Sequence, residues 1–178
     1  MPHAHDIPSE AGVRLAPRPP EATPLPPGRL AEIARHLAGA AELWRPVDRP
    51  VAAPGEPART RLLWTPAVEV WLVEWAPGQA TRAHDHGGAA TAFSIVDGAL
   101  VEECLDVTIW TTCRRTTWRA PSTAAFAPGH VHLLANAGSG PAVSVHAQSP
   151  PRPRRRGQPV LAGLGTTSTG TEERCSSL

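Results

Sequence analysis

The chain has 178 residues, enough for one domain with a substantial core. Its 17 basic and 16 acidic residues leave a formal net charge of +1, so no bulk electrostatic signal marks nucleic acid as a partner. The three cysteines are odd in number and outside CxxC spacing, which excludes a zinc ribbon and a disulfide framework and suits reduced thiols.

Residues 1–27 are crowded with prolines, among them Pro17, Pro19, Pro20, Pro24, Pro26 and Pro27, and are expected to form a disordered arm. The opening residues lack a basic stretch followed by an apolar one, and no apolar run is long enough to span a bilayer. Neither an export signal nor a membrane span is therefore expected, and the location is read as cytoplasmic. Gly28 to Leu43 carries Leu30, Ile33, Ala34 and Leu37 at helical spacing and predicts one amphipathic helix. Pro46, Pro50, Pro54 and Pro57 then rule out regular structure.

From Arg59 the pattern changes to short β runs broken by turn residues. The runs are Arg61–Trp64, Val68–Trp75, Thr91–Val96, Ala99–Leu105, Val107–Trp110, Thr116–Trp118, Thr123–Phe126, Val131–Leu134 and Ala142–Ala147. Val68–Trp75 is apolar on both faces apart from Glu69 and Glu74, which suits a strand covered on both sides. Asp97-Gly98 between two runs predicts a hairpin. The whole reads as an all-β jelly roll. Residues 152–178 begin with the basic run Arg152–Arg156 and continue rich in Gly, Ser and Thr. They are read as a disordered tail with a solvated charge run, not as a nucleic-acid contact. The domain itself, with its leading helix, is placed at residues 28–151.

The chemistry is concentrated in His84-Asp85-His86, just after a strand-like run, and in the remote Pro128-Gly129-His130-Val131-His132. In extended chain, residues i and i+2 share a face, so His84 and His86 can aim two imidazoles at one point and His132 can close the triangle. Three neutral imidazoles make a facial site for a divalent first-row metal with positions left open. His3 and His5 have the same spacing but sit among prolines with no β scaffold, and are read as non-functional. His130 is read as a turn residue, with His132 the ligand.

Gly78, His84, His86 and Gly98 resemble the first motif of the cupin superfamily. Gly129, His132 and Asn136 resemble its second motif, with Pro128 one place off its usual position. Where the first motif carries a glutamate ligand, this chain has Thr91, which leaves a three-histidine set. Together with Pro77-Gly78-Gln79 and the run Ser144-Val145-His146-Ala147-Gln148-Ser149-Pro150-Pro151, the pattern resembles the type I cysteine dioxygenases over roughly residues 29–151. More narrowly, it looks like their bacterial branch.

The resemblance implies a cupin jelly-roll β-barrel with a short N-terminal helical segment. It implies a non-haem iron thiol dioxygenase of cysteine catabolism, with Fe(II) on His84, His86 and His132. Its substrates would be L-cysteine, chelated through thiolate and amine, and O2, with both oxygen atoms ending on sulfur as cysteine sulfinate. The family's carboxylate-binding arginine falls on Arg61, in Arg61-Leu62-Leu63; Arg59 and Arg82 remain alternatives. Arginine there favours an α-amino acid over 3-mercaptopropionate. Ser144, His146 and Gln148 fall on the family's Ser-x-His-x-Tyr strand face, so glutamine stands where relatives carry a tyrosine. Some relatives cross-link that tyrosine to a cysteine, at the place of Thr91; neither partner exists here. His146 is read as a hydrogen-bond donor beside the site. The chain is expected to act as a monomer, without nucleic-acid or membrane partners. The alternatives are a dioxygenase of another small thiol such as 3-mercaptopropionate, and a non-catalytic metal-binding cupin.

Overall fold

The computed structural model describes residues 23–47, 55–109 and 111–152. Two helices lead into eight strands. Helix α1 (Pro27–Gly39) starts with proline in its first turn, where the missing N–H is not needed. It stops at Ala40, whose ψ of 61° is not helical, and a single turn, α2 (Ala41–Trp44), follows. The one helix expected from Gly28 to Leu43 is thus two. The break lets the buried Trp44 ring fold back, with Nε1–H donating to the Leu37 carbonyl at 2.9 Å.

The strands are β1 (Ala58–Trp64), β2 (Glu69–Trp75), β3 (Ala90–Asp97), β4 (Ala99–Asp106), β5 (Thr111–Arg119), β6 (Thr123–Phe126), β7 (His132–Ala135) and β8 (Ala142–Ser149). They form two antiparallel sheets, a five-stranded one in the order β1-β2-β8-β3-β6 and a three-stranded one in the order β5-β4-β7. The all-β jelly-roll expectation is borne out.

The two-sided apolar character of β2 has a simple cause. Val70 and Leu72 face α1 and join Leu30, Ala34 and Val145 in one core cluster. Val73 and Trp75 face the smaller sheet and join Phe93, Ile95, Leu100 and Leu134 in a second. The larger sheet is therefore sandwiched between a helix and the other sheet, and alternate residues of each strand serve different cores.

Two local expectations fail. Asp97-Gly98 does not close a hairpin, because β3 and β4 belong to different sheets and the turn carries the chain between them. Gly98 has φ of 71°, and a Cβ there would lie 2.7 Å from the Pro141 carbonyl oxygen, so the crossing needs glycine. Residues 107–109, expected as strand, form the turn between β4 and β5. The Asp106 carboxylate takes the Thr108 N–H at 2.8 Å, which favours a turn over continued pairing; Trp110 lies outside the described residues. Strand β5 is longer than expected because its exposed Thr and Arg residues carry no alternation. The arm and tail readings for residues 1–22 and 153–178, with His3, His5 and Cys175, also lie outside the described residues. Within the described part, Cys104 and Cys113 are free thiols, and no helix is long and apolar enough to cross a membrane.

Candidate metal centre

The segment after β2 is irregular yet tightly placed. It runs antiparallel to β7, with Thr81 N–H donating to the Leu134 carbonyl at 2.8 Å. His84 and His132 then exchange a reciprocal pair of backbone hydrogen bonds of 2.9 and 3.0 Å. Asn136 is buried and secures this arrangement: its amide donates to the Trp75 and Gly140 carbonyls and its oxygen accepts the Gly138 N–H. The second-motif asparagine is thus a backbone clamp. It fixes where β7 ends, and so the register of the strand that starts at His132.

His84, His86 and His132 are brought together as expected, with ligand atoms within 4.8 Å of one another. Each has its Nδ1 committed elsewhere. His84 Nδ1 lies 2.8 Å from the Arg82 carbonyl, His86 Nδ1 3.1 Å from Gln148 Oε1, and His132 Nδ1 2.8 Å from Glu102 Oε1. All three partners are oxygens with no proton to give, so each Nδ1 carries the proton and each Nε2 keeps its lone pair. His86 Nε2 and His132 Nε2 face each other at 3.3 Å. Two lone pairs so close, with no proton between them, fit a shared cation; imidazoles bonded at about 2.0–2.1 Å to one ion have this spacing. Burial holds His84 below its ordinary pKa and is the main cause lowering His86 to about 4. Both are neutral at pH 7, the state a ligand needs. The residues present fit a divalent metal.

Sequence reasoning missed Glu102. It is fully buried on β4, sharing a face with Leu100. Its Oε1 accepts from His132 Nδ1 and His130 Nε2, both at 2.8 Å, and its Oε2 from Trp118 Nε1 at 2.9 Å. Burial alone would push the carboxyl pKa up, but the hydrogen bonds from His132, His130 and Trp118 outweigh it and bring it down to about 2. A carboxylate behind a ligand imidazole fixes its tautomer and raises its basicity. His130 is more than a turn residue: it lies flat on Phe126, with centroids 4.1 Å apart, and supports Glu102 from the far side. The available signal was strand parity, which puts an acid on the inward face of β4.

A cavity of about 470 Å³ opens beside the three histidines. Pairing across the larger sheet sets its floor in rows. Arg61 stands opposite Trp71, Trp71 opposite His146, and His146 opposite Phe93. The Arg61 guanidinium lies over the Trp71 ring, 4.4 Å from its centroid, in cation–π contact. His146 is flanked by the Phe93 and Trp75 rings. Its Nε2 is 2.8 Å from Ser144 Oγ, which accepts Trp75 Nε1–H at 2.9 Å. Burial, the largest cause, and the nearby Arg59 cation hold the His146 pKa well below its ordinary value. Ser144 therefore touches His146 rather than lining the cavity.

In the next row Glu69 stands opposite Gln148, and Gln148 opposite Thr91. Thr91 and Gln148 are thus direct neighbours, as the alignment of motifs requires. Gln148 is turned onto His86, while its amide reaches the Pro150 carbonyl at 3.4 Å. Arg59 joins Arg61 on the cavity wall, whereas Arg82 is exposed and contributes only its carbonyl to His84.

A family model described as cysteine dioxygenase type I matches residues 56–157, more than half of the chain. Among solved structures, KdgF from Halomonas sp. superposes with a TM-score of 0.53 at 16% identity, covering 61% of this chain and 91% of that one. The cupin domain of Schizosaccharomyces pombe Cnp3 superposes with a TM-score of 0.50 at 11% identity, covering 59% and 65%. At such identities these two show the cupin fold alone. A search of curated proteins returned no match.

Proposed function

The chain belongs to the cysteine dioxygenase type I family, and on that premise we propose that it is an Fe(II)-dependent thiol dioxygenase converting L-cysteine and O2 to cysteine sulfinate. The observation that carries this reading is the three-histidine cluster, with every Nδ1 held by an oxygen and every Nε2 free for a metal. His84, His86 and His132 would hold the ion, which when bound supplies Lewis acidity toward the thiol and a redox centre for O2.

The chain's own residues do the rest. Three neutral imidazoles add no negative charge, so the site accepts an anionic thiolate without electrostatic penalty. Arg61, whose guanidinium lies over the Trp71 ring at the cavity wall, offers a charge-assisted contact to the substrate carboxylate. His146, held by Ser144 in a low-polarity wall of Phe93 and Trp75, keeps one nitrogen protonated while the ring stays neutral. It can therefore donate a hydrogen bond into the cavity without adding charge. Gln148, at the family's tyrosine position, supports His86 through its carbonyl and cannot ionise. Atoms balance simply: the thiol gains both atoms of one O2 and becomes a sulfinic acid. The free thiols among the described residues fit a reducing, cytoplasmic setting.

The test is oxygen uptake by Fe(II)-loaded protein with cysteine, with the sulfinate identified. Binding of iron and cysteine without oxygen uptake above background would replace this reading with a non-catalytic metal-binding cupin.

A further inference from the structure

Cysteine offers one carboxylate, yet three arginines among the described residues line the cavity. Arg59 and Arg61 are two residues apart on the edge strand β1, opposite Val73 and Trp71, and so project from the same face. Arg152 approaches from beyond β8, where its backbone N–H is anchored on Glu69 Oε1 at 3.0 Å. Arg61 lies on Trp71. The guanidiniums of Arg59 and Arg152 have no hydrogen-bond or ion-pair partner among the described residues. They are close enough that the Arg152 charge adds to burial in lowering the Arg59 pKa, despite Glu56 nearby.

Like charges are held together at a cost unless an anion joins them. Among the described residues Glu69 is the one carboxylate in the cavity lining, and its Oε1 takes the Arg152 backbone N–H, so the Arg59 and Arg152 guanidiniums face the cavity as two positive charges with no carboxylate hydrogen-bonded to them there. A cavity of about 470 Å³ also falls within the roughly 300–1,000 Å³ that hold ligands larger than a single amino acid.

We propose that Arg59 and Arg152 form a second anion subsite and that the preferred substrate is a small thiol bearing two carboxylates, one on Arg61 and one on this pair. The inference rests on the thiol-dioxygenase reading for its chemistry, but the subsite is testable by binding alone. A planar guanidinium pair recognises a carboxylate bidentately, and each contact is charge-assisted.

The experiment compares 3-mercaptopropionate with mercaptosuccinate, which has the same thiol skeleton and one more carboxylate. Binding to the full-length, Fe(II)-loaded protein is measured by calorimetry without oxygen, and turnover by oxygen uptake. Mercaptosuccinate should bind about 10-fold or more tightly, with the advantage shrinking as salt is raised. Arg59→Gln and Arg152→Gln should each reduce that ratio, and the double variant should bring it near one. Arg61→Gln should weaken both thiols together. Equal affinity for the two thiols in the parent protein, or a ratio unchanged in the double variant, overturns the subsite. Oxygen uptake on cysteine with no dicarboxylate preference defeats this inference alone. A dicarboxylate preference in binding with no oxygen uptake on any thiol leaves the subsite standing and defeats the dioxygenase reading.

Discussion

Glu102→Gln changes one atom at the back of the metal centre. The carboxylate accepts three N–H donors, from His132, His130 and Trp118, at 2.8, 2.8 and 2.9 Å. An amide has one oxygen to offer. If that oxygen keeps the two imidazoles, the new NH2 faces the indole N–H; if it turns round, the NH2 faces two ring N–H groups. Either way at least one buried donor meets a donor. A lost charge-assisted hydrogen bond is worth about 1.5–3 kcal/mol. The part felt by His132 should appear as a loss of about 10- to 100-fold in metal affinity, the range seen when an outer-shell partner is removed. The assay is a competitive titration of metal-free protein with Fe(II) or Co(II), with a thermal melt of the metal-free protein run beside it. Glu102→Ala leaves three buried donors unmet and should lower the melting temperature well beyond Glu102→Gln. If Glu102→Gln binds metal within 2-fold of the parent, Glu102 does not orient His132, and the tautomer argument fails for that ligand.

His132→Ala should abolish metal loading while His130→Ala retains it; full iron in the His132→Ala protein would move the ligand to His130. Arg61→Ala should raise the KM for cysteine by about 10-fold or more, as expected for a charge-assisted carboxylate contact, and unchanged kinetics would shift that role to Arg59. Gln148→Leu keeps the bulk but removes the acceptor for His86 Nδ1–H, and should weaken metal binding by about 10-fold; unaltered affinity would mean His86 is oriented by packing alone. The metal-free protein should lose stability as pH falls. His84, His86 and His146 are held neutral, so below about pH 6.5 the unfolded chain binds more protons than the folded one. The melting temperature should therefore drop between pH 6.5 and about 4, where His86 titrates in the fold. A flat profile there would contradict the burial of these rings.

The readable parts of the sequence were those where local chemistry and global fold agree. The two-sided apolar run of β2, ended by Pro77-Gly78, marked that strand, and the spacing of His84 and His86 survived the loss of regular strand structure because β7 pairs with that segment. Asp97-Gly98 misled because a glycine at positive φ serves a crossing between sheets as well as a hairpin. The polar strand β5 hid because an exposed edge needs no apolar alternation. Glu102 went unseen because an isolated glutamate beside Glu103 looks solvated; only the pairing of β4 with β7 brings it against His132. Gln148 was legible as a position but not as a contact. The motif puts it beside Thr91, while its turn onto His86 depends on side-chain packing.

The central claim is that this three-histidine site adds both atoms of O2 to a thiol. The most direct test is to supply the Fe(II)-loaded protein with cysteine under 18O2 and weigh the sulfinate by mass spectrometry. The sulfinate should carry both labelled oxygens, with about one O2 consumed per thiol. A singly labelled or unlabelled sulfinate, or cystine as the sole product, would contradict that claim.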